Sequence, residues 1–330
     1  MDRGDPADGA APGPGGTVTD PTKVNLGDHD PLAHPVGARS LAGTTKLAMR
    51  SALLTANRPT AAARMLPTFL VAGAARSGTT SLFGALSQHP AIGHPFLPWT
   101  REVHFFDNKY DRGLAWYQSH FPLRMRMERA ARACGAKAPH AFESGIYYMF
   151  HPLAPERIKR DLPDVKLLVL LRDPVERAFS QHAYSVTAGC ESETFERALE
   201  LEEGRLAGEA ERIVADPTYD SLSHRHHSYR TRGEYIDQLE RLEKFFGRDR
   251  IHVVDSVDFW SEPVPSYDGM MTFLELPNAG YPDFKHLNSR PRPAPMPDSV
   301  RAALREHYRP YDERLAGWLG WVPSWRREDG

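Results

Sequence analysis

Phe69-Leu-Val-Ala-Gly73-Ala-Ala-Arg76-Ser77-Gly78-Thr79-Thr80-Ser81 is the stretch that decides the fold. Its first five residues are apolar or small and read as a short buried strand. A Gly/Ser turn follows, and the run Thr80–His89 reads as a helix. Glycines let the backbone wrap an oxyanion. The helix N-terminus turns unpaired N–H groups and a positive dipole end toward it. Arg76 adds a forked cation, and Ser77, Thr79, Thr80 and Ser81 add hydroxyl donors around Gly78. The interval from Gly73 to Gly78 is that of a Walker-type phosphate loop, but Thr79 stands where that loop carries lysine. This argues against an ATPase or a P-loop kinase. A glycine-rich turn without a ligand is the plainer alternative for the loop taken alone.

Working outward, Lys166–Leu171 reads as a second strand. It ends at Arg172-Asp173-Pro174, and a helix follows through Tyr184, with Pro174 suited to its first turn. A third strand, Arg250–Val254, follows the helical run Tyr235–Phe246. Strands alternating with helices predict an α/β fold, a P-loop-like parallel sheet flanked by helices on both faces. Ligands then sit at the carboxyl ends of the strands. The turns after Gly73 and after Leu171 both lie there.

The chain has 330 residues, with 41 Lys and Arg against 43 Asp and Glu and a net charge of -2. No basic excess points to nucleic acid as a partner. Two cysteines, Cys134 and Cys190, exclude a disulfide framework. The first residues, MDRGDPADGAAPGPGG, hold no apolar core of a secretory signal. The apolar runs 69–75 and 167–171 are too short to span a bilayer. The expectation is a cytoplasmic protein. Residues 1–38, rich in Pro, Gly and Asp, read as a disordered tail. Residues 39–66 read as a linker or helical lead-in, and 67–330 as the folded domain. The 39–66 segment carries five basic residues and no acidic one. A helix packed on the domain is the plainer reading, and contact with an anionic membrane surface is the sharper one.

Here the residues resemble a known family. The strand–GxxRSGTTSL–helix unit is similar to the 5′-phosphosulfate loop of sulfotransferases that use 3′-phosphoadenosine 5′-phosphosulfate (PAPS). Leu170-Leu-Arg172-Asp-Pro-Val-Glu-Arg-Ala-Phe-Ser180 resembles their 3′-phosphate site. Arg101-Glu-Val-His-Phe-Phe-Asp107, Gly113-Leu-Ala-Trp-Tyr-Gln-Ser-His-Phe-Pro122 and Trp321-Val-Pro-Ser-Trp325 resemble the heparan-sulfate and carbohydrate branch in particular. The similarity runs from about residue 67 to the C-terminus, with four motifs in order.

The resemblance implies the sulfotransferase fold, PAPS as co-substrate, adenosine 3′,5′-bisphosphate as product, no metal, and a glycan or small-molecule acceptor. It implies that Arg172 and Ser180 grip the 3′-phosphate and that Arg76 stabilises the leaving group, where relatives usually carry lysine. It implies Glu102 as the base. His104 remains a second candidate, because the aryl and steroid branch uses histidine; in a strand, residues 102 and 104 face the same way. The segment Tyr229-Arg-Thr-Arg232-Gly233 resembles the adenine-side segment, which places Tyr229 at the nucleotide. Asn288-Ser-Arg290-Pro-Arg292-Pro resembles, loosely, a basic loop of the heparan-sulfate branch, so Arg290 and Arg292 read either as a flap on the nucleotide or as part of a solvated Pro-rich linker. One departure stands out: relatives carry Glu-Lys-Thr/Ser-Pro where this chain has Phe142-Glu-Ser144-Gly145, so Ser144 replaces a lysine.

Among weaker features, His224, His226 and His227 read as solvated loop histidines rather than a metal site. The stretch Glu191–Glu211 reads as a solvated helical face. Two competing function classes are a P-loop kinase and a protein that binds PAPS without turnover.

Overall fold

The structure, a computed structural model, describes residues 41–97, 100–285, 287 and 295–327, with backbone alone at 41–44, 46 and 47. Five parallel strands form one sheet: β1 Phe69–Gly73, β2 Ile92–Gly93, β3 His140–Ser144, β4 Lys166–Leu171 and β5 Ile251–Asp255, in the spatial order β2-β3-β1-β4-β5. The chain runs from the central β1 to one edge and then crosses to the other. β1 is therefore the switch point, where a parallel sheet opens a crevice at its carboxyl edge.

Alternation along the two apolar strands explains why helices cover both faces. Leu70 and Ala72 of β1, with Leu167, Val169 and Leu171 of β4, point into one core with Tyr235, Leu239, Leu242 and Phe246. Phe69 and Val71, with Leu168 and Leu170, point into the other with Leu82, Leu86, Met270 and Met271. Such near-continuous apolar runs suit strands buried on both faces. Across the β1–β3 pair, Phe69 lies opposite Phe142 with the rings stacked at 4.9 Å.

The three apolar helices read from the sequence are present as Thr79–Leu86, Pro174–Thr187 and Tyr235–Phe246, and a fourth spans Asp298–Leu319. The Asp173 side chain accepts from Val175 N–H and caps the second of them. Residues 41–63 form the helix Leu41–Asn57 followed by a 3₁₀ turn, Arg58–Ala63. The stretch 1–38 lies outside the described residues.

Two readings need correction. The Glu191–Glu211 stretch is only partly solvated: Glu202 is buried and accepts the N–H groups of Arg230 and Thr231, and Glu191 is buried against Arg205 and Tyr229. The three histidines are not solvated either. His224 and His226 lie on the short helix Leu222–His226, and all three are buried. Burial lowers the pKa of His224 and His226 to about 3, so both are neutral. Among the described residues no group of three or more His, Cys, Asp or Glu could hold a metal ion.

Candidate active site

Three adjacent strand ends build the site. After β1, the loop turns through Arg76 and Gly78, both at positive φ, 69° and 94°. Gly78 takes this conformation at little cost, and it starts the helix that follows. The turn is pinned to the next strand, because Ala74 N–H donates to Leu170 O at 2.8 Å. Ser77 is buried, and its Oγ makes no hydrogen bond among the described residues. A buried hydroxyl left so, in a loop before a helix N-terminus, fits a site that accepts an oxyanion.

The loop after β4 meets it. Arg76 Nε donates to Ser180 Oγ at 3.2 Å, and the Arg76 guanidinium lies 5.1 Å from the centre of the Tyr184 ring. Arg172 Nη1 donates to the carbonyl of Arg76 at 3.2 Å. Glu176 holds the other end of Arg172 at 3.8 Å and is itself gripped by Arg301 at 2.6 Å. Tyr235 OH donates to Arg172 O at 2.9 Å. Arg76, from the loop after β1, is thus brought to Arg172 at the end of β4 and to Ser180 on the helix that follows, about a hundred residues away.

Ser81 is engaged by a segment outside the loop. Its Oγ receives the N–H of Leu287 at 2.8 Å, so it ties that distant segment to the helix. Tyr229 is not joined to the loop either. It is fully buried and its hydroxyl donates to Glu191 at 2.8 Å, inside a separate cluster with Phe179 and Phe195. Arg290 and Arg292 lie outside the described residues.

The third strand end carries the carboxylates. Residues 101–107 form no strand, contrary to the sequence reading; they make a tight turn with His104 at φ 58°. The turn is held from β3 and the chain just after it. Ser144 N–H donates to Arg101 O at 3.1 Å, and Val103 N–H donates to Glu143 at 2.6 Å. Tyr148 OH accepts from Phe105 N–H at 3.2 Å and donates to Glu143 at 2.9 Å, and Tyr117 OH donates to Glu143 at 2.7 Å. Burial raises the Glu143 pKa, while these three donors favour its ionised form.

Glu102 and His104 still meet, with His104 Nε2 3.8 Å from a Glu102 oxygen. The other ring nitrogen, Nδ1, lies 2.8 Å from Asp107, whose side chain is completely buried. Burial by itself would raise the Asp107 pKa, but His104 and Arg225 hold it far below the usual carboxylate range. Asp107 therefore stays ionised, fixes Nδ1 as the protonated nitrogen and turns Nε2 toward Glu102. Arg157 braces the turn from below through the carbonyls of Phe106 and Asp107. Asp107, Glu143, Glu176 and Tyr184 were not singled out in the sequence. An acid three residues after His104 was the available signal for Asp107.

Loop, Arg172–Ser180 pair and carboxylate turn thus lie side by side at the carboxyl edge of a doubly covered parallel sheet. Comparison gives the class: residues 66–287 match the sulfotransferase domain, and the chain belongs to that family. It is 28% identical over 216 residues to human heparan sulfate glucosamine 3-O-sulfotransferase 5, covering 65% of this chain and 55% of that one. It is 25% identical over 327 residues to the membrane-associated sulfotransferase kil1 of Dictyostelium discoideum, covering 79% of this chain and 67% of that one. The chain thus spans little more than half the length of the human relative. Among solved structures, a sulfotransferase from Alicyclobacillus acidocaldarius superposes with a TM-score of 0.56 at 29% identity, covering 80% of this chain and all of the other.

Proposed function

We propose that the protein transfers a sulfuryl group from PAPS to a hydroxyl or amine of a glycan or small-molecule acceptor. The observation that carries this reading is the meeting of Arg76, Arg172 and Ser180 at the ends of β1 and β4, next to the strand end that holds the Glu102 turn. PAPS supplies an activated sulfuryl group. The N–H groups opening the helix Thr79–Leu86 and the Arg76 guanidinium stabilise charge on the departing phosphate. Arg172 and Ser180 hold the 3′-phosphate. Glu102 takes the acceptor's proton, and Asp107 orients the neighbouring His104 ring. Acceptors of the heparan type are suggested by the names of the relatives.

A second reading is a protein that binds PAPS without turnover. It is favoured by Ser144, which stands where the family's motif places a lysine. Calorimetry with adenosine 3′,5′-bisphosphate in the presence of a chelator tests the shared part of both readings: binding is expected without metal. Strict dependence on magnesium would overturn the assignment of the loop.

A further inference from the structure

Outside the site, two segments remote in sequence are fastened together where the turn after one helix meets the start of another. Residues 39–66 contain Arg39, Lys46, Arg50, Arg58 and Arg64 and no acidic residue. The helix Leu41–Asn57 buries Arg50 and Leu54, and it leaves Met49 and Leu53 46% and 38% exposed. Four residues apart, these two share a side of the helix. The turn that follows is fastened to residues 119–123. Asn57 Nδ2 donates to Ser119 O at 3.2 Å and Arg64 Nη1 to Phe121 O at 2.8 Å, and Arg64 forms an antiparallel bridge with Leu123.

At that bridge the helix Arg124–Ala133 begins, with the sequence RMRMERAARA. Met127 and Ala131 face inward. Arg124, Met125, Arg126, Arg129 and Arg132 face solvent, and Glu128 is the one acid of the helix. Met125 is 75% exposed and Leu123 38%. The chain's net charge of -2 makes this basic excess a local feature. Exposed apolar side chains set among arginines leave surface in water that the described residues do not cover. A purely anionic polymer would satisfy the arginines of the helix Arg124–Ala133 and leave Leu123 and Met125 in water. An anionic bilayer surface takes both, headgroups against the arginines and the acyl boundary against the apolar side chains.

We propose that this surface docks on anionic lipid membranes as a peripheral contact. It is no span: among the described residues no helix is long and apolar enough to cross a membrane. The test is co-sedimentation of the full chain with vesicles of phosphatidylcholine alone and of phosphatidylcholine mixed with phosphatidylserine. The protein should pellet with the mixed vesicles and be released by salt. Each arginine lost should lower partition about 5-fold, so Arg126→Glu with Arg129→Glu should lower it at least roughly 20-fold. These side chains are exposed, so the melting temperature and affinity for adenosine 3′,5′-bisphosphate should not change. Met125→Gln separates the two kinds of partner. It should weaken vesicle binding several-fold and leave retention on immobilised heparin unaltered. Equal binding to both vesicle types, absence of binding, or variants that partition like the parent protein would overturn the proposal. So would the absence of vesicle binding together with heparin retention that Arg126→Glu with Arg129→Glu abolishes, which would make the surface a site for anionic polymers.

Discussion

Glu102 and His104 occupy one turn, and what separates their roles is how each is held. His104 is committed through Nδ1 to an ionised, buried Asp107, which fits an orienting group, whereas Glu102 is half-exposed beside it. Glu102→Gln should lower kcat roughly 10²–10⁴-fold with little change in nucleotide affinity, measured by steady-state kinetics beside calorimetry. Unchanged turnover in that variant, with the loss appearing in His104→Ala, would transfer the role to His104. A different carboxylate, Glu191, contributes to acid stability. Burial pushes Glu191 upward, but Arg205, Tyr229 and two backbone N–H groups outweigh it and bring its pKa to about 2, from the ordinary 4.5. A carboxyl depressed in the folded state stabilises above pH 4.5 and loses that contribution as pH falls toward 2. Urea unfolding across this window should show a flatter pH dependence for Glu191→Gln than for the parent chain. At this scale the motif residues Arg76, Arg172 and Ser180 were legible, because short-range motifs place them. Glu143 was not: its partners Val103, Tyr117 and Tyr148 come from three separate segments, and no local pattern announces a carboxylate buried in a strand.

Among the elements, the helix Pro174–Thr187 shapes the proposed nucleotide site. It starts two residues after Arg172, carries Glu176 to hold it, and presents Ser180 one turn further on. Arg172→Ala should weaken PAPS binding about 10–100-fold, the range for charged hydrogen bonds. It should leave an analogue without the 3′-phosphate nearly unaffected, as calorimetry can show. Equal weakening of both ligands would sink the 3′-phosphate assignment. β3 offers a second test. A Cβ at Gly145 would come within 1.9 Å of the Tyr148 ring, and Tyr148 braces both Glu143 and Phe105. Gly145→Ala should therefore cost about 1–3 kcal/mol in chemical denaturation and lower kcat along with it. β1, β4 and β5 were readable from their apolar runs, with the third strand displaced by a single residue. β3, His140–Ser144, was hidden by its polar ends, and β2 is only two residues long. The turn at 101–107 imitates a strand because Glu-Val-His-Phe alternates polar and apolar. Bonds from Glu143, Ser144 and Tyr148 bend it, and those lie some forty residues away.

Over the whole molecule, the strand order places β3, β1 and β4 side by side, and this turns three unconnected motifs into one site. The α/β class and the place of the site followed from alternation and from the loop after Gly73. The strand order did not, since pairing across the sheet depends on packing between distant helices rather than on any one stretch. The central claim is that this site moves a sulfuryl group. The direct measurement is transfer of labelled sulfur from PAPS to a panel of glycan and small-molecule acceptors, in chelator, read by mass spectrometry. At least one acceptor should gain a sulfuryl group with the parent protein and essentially none with Glu102→Gln at equal nucleotide occupancy. Tight nucleotide binding with no transfer to any acceptor, or transfer equally fast in the variant, would contradict it.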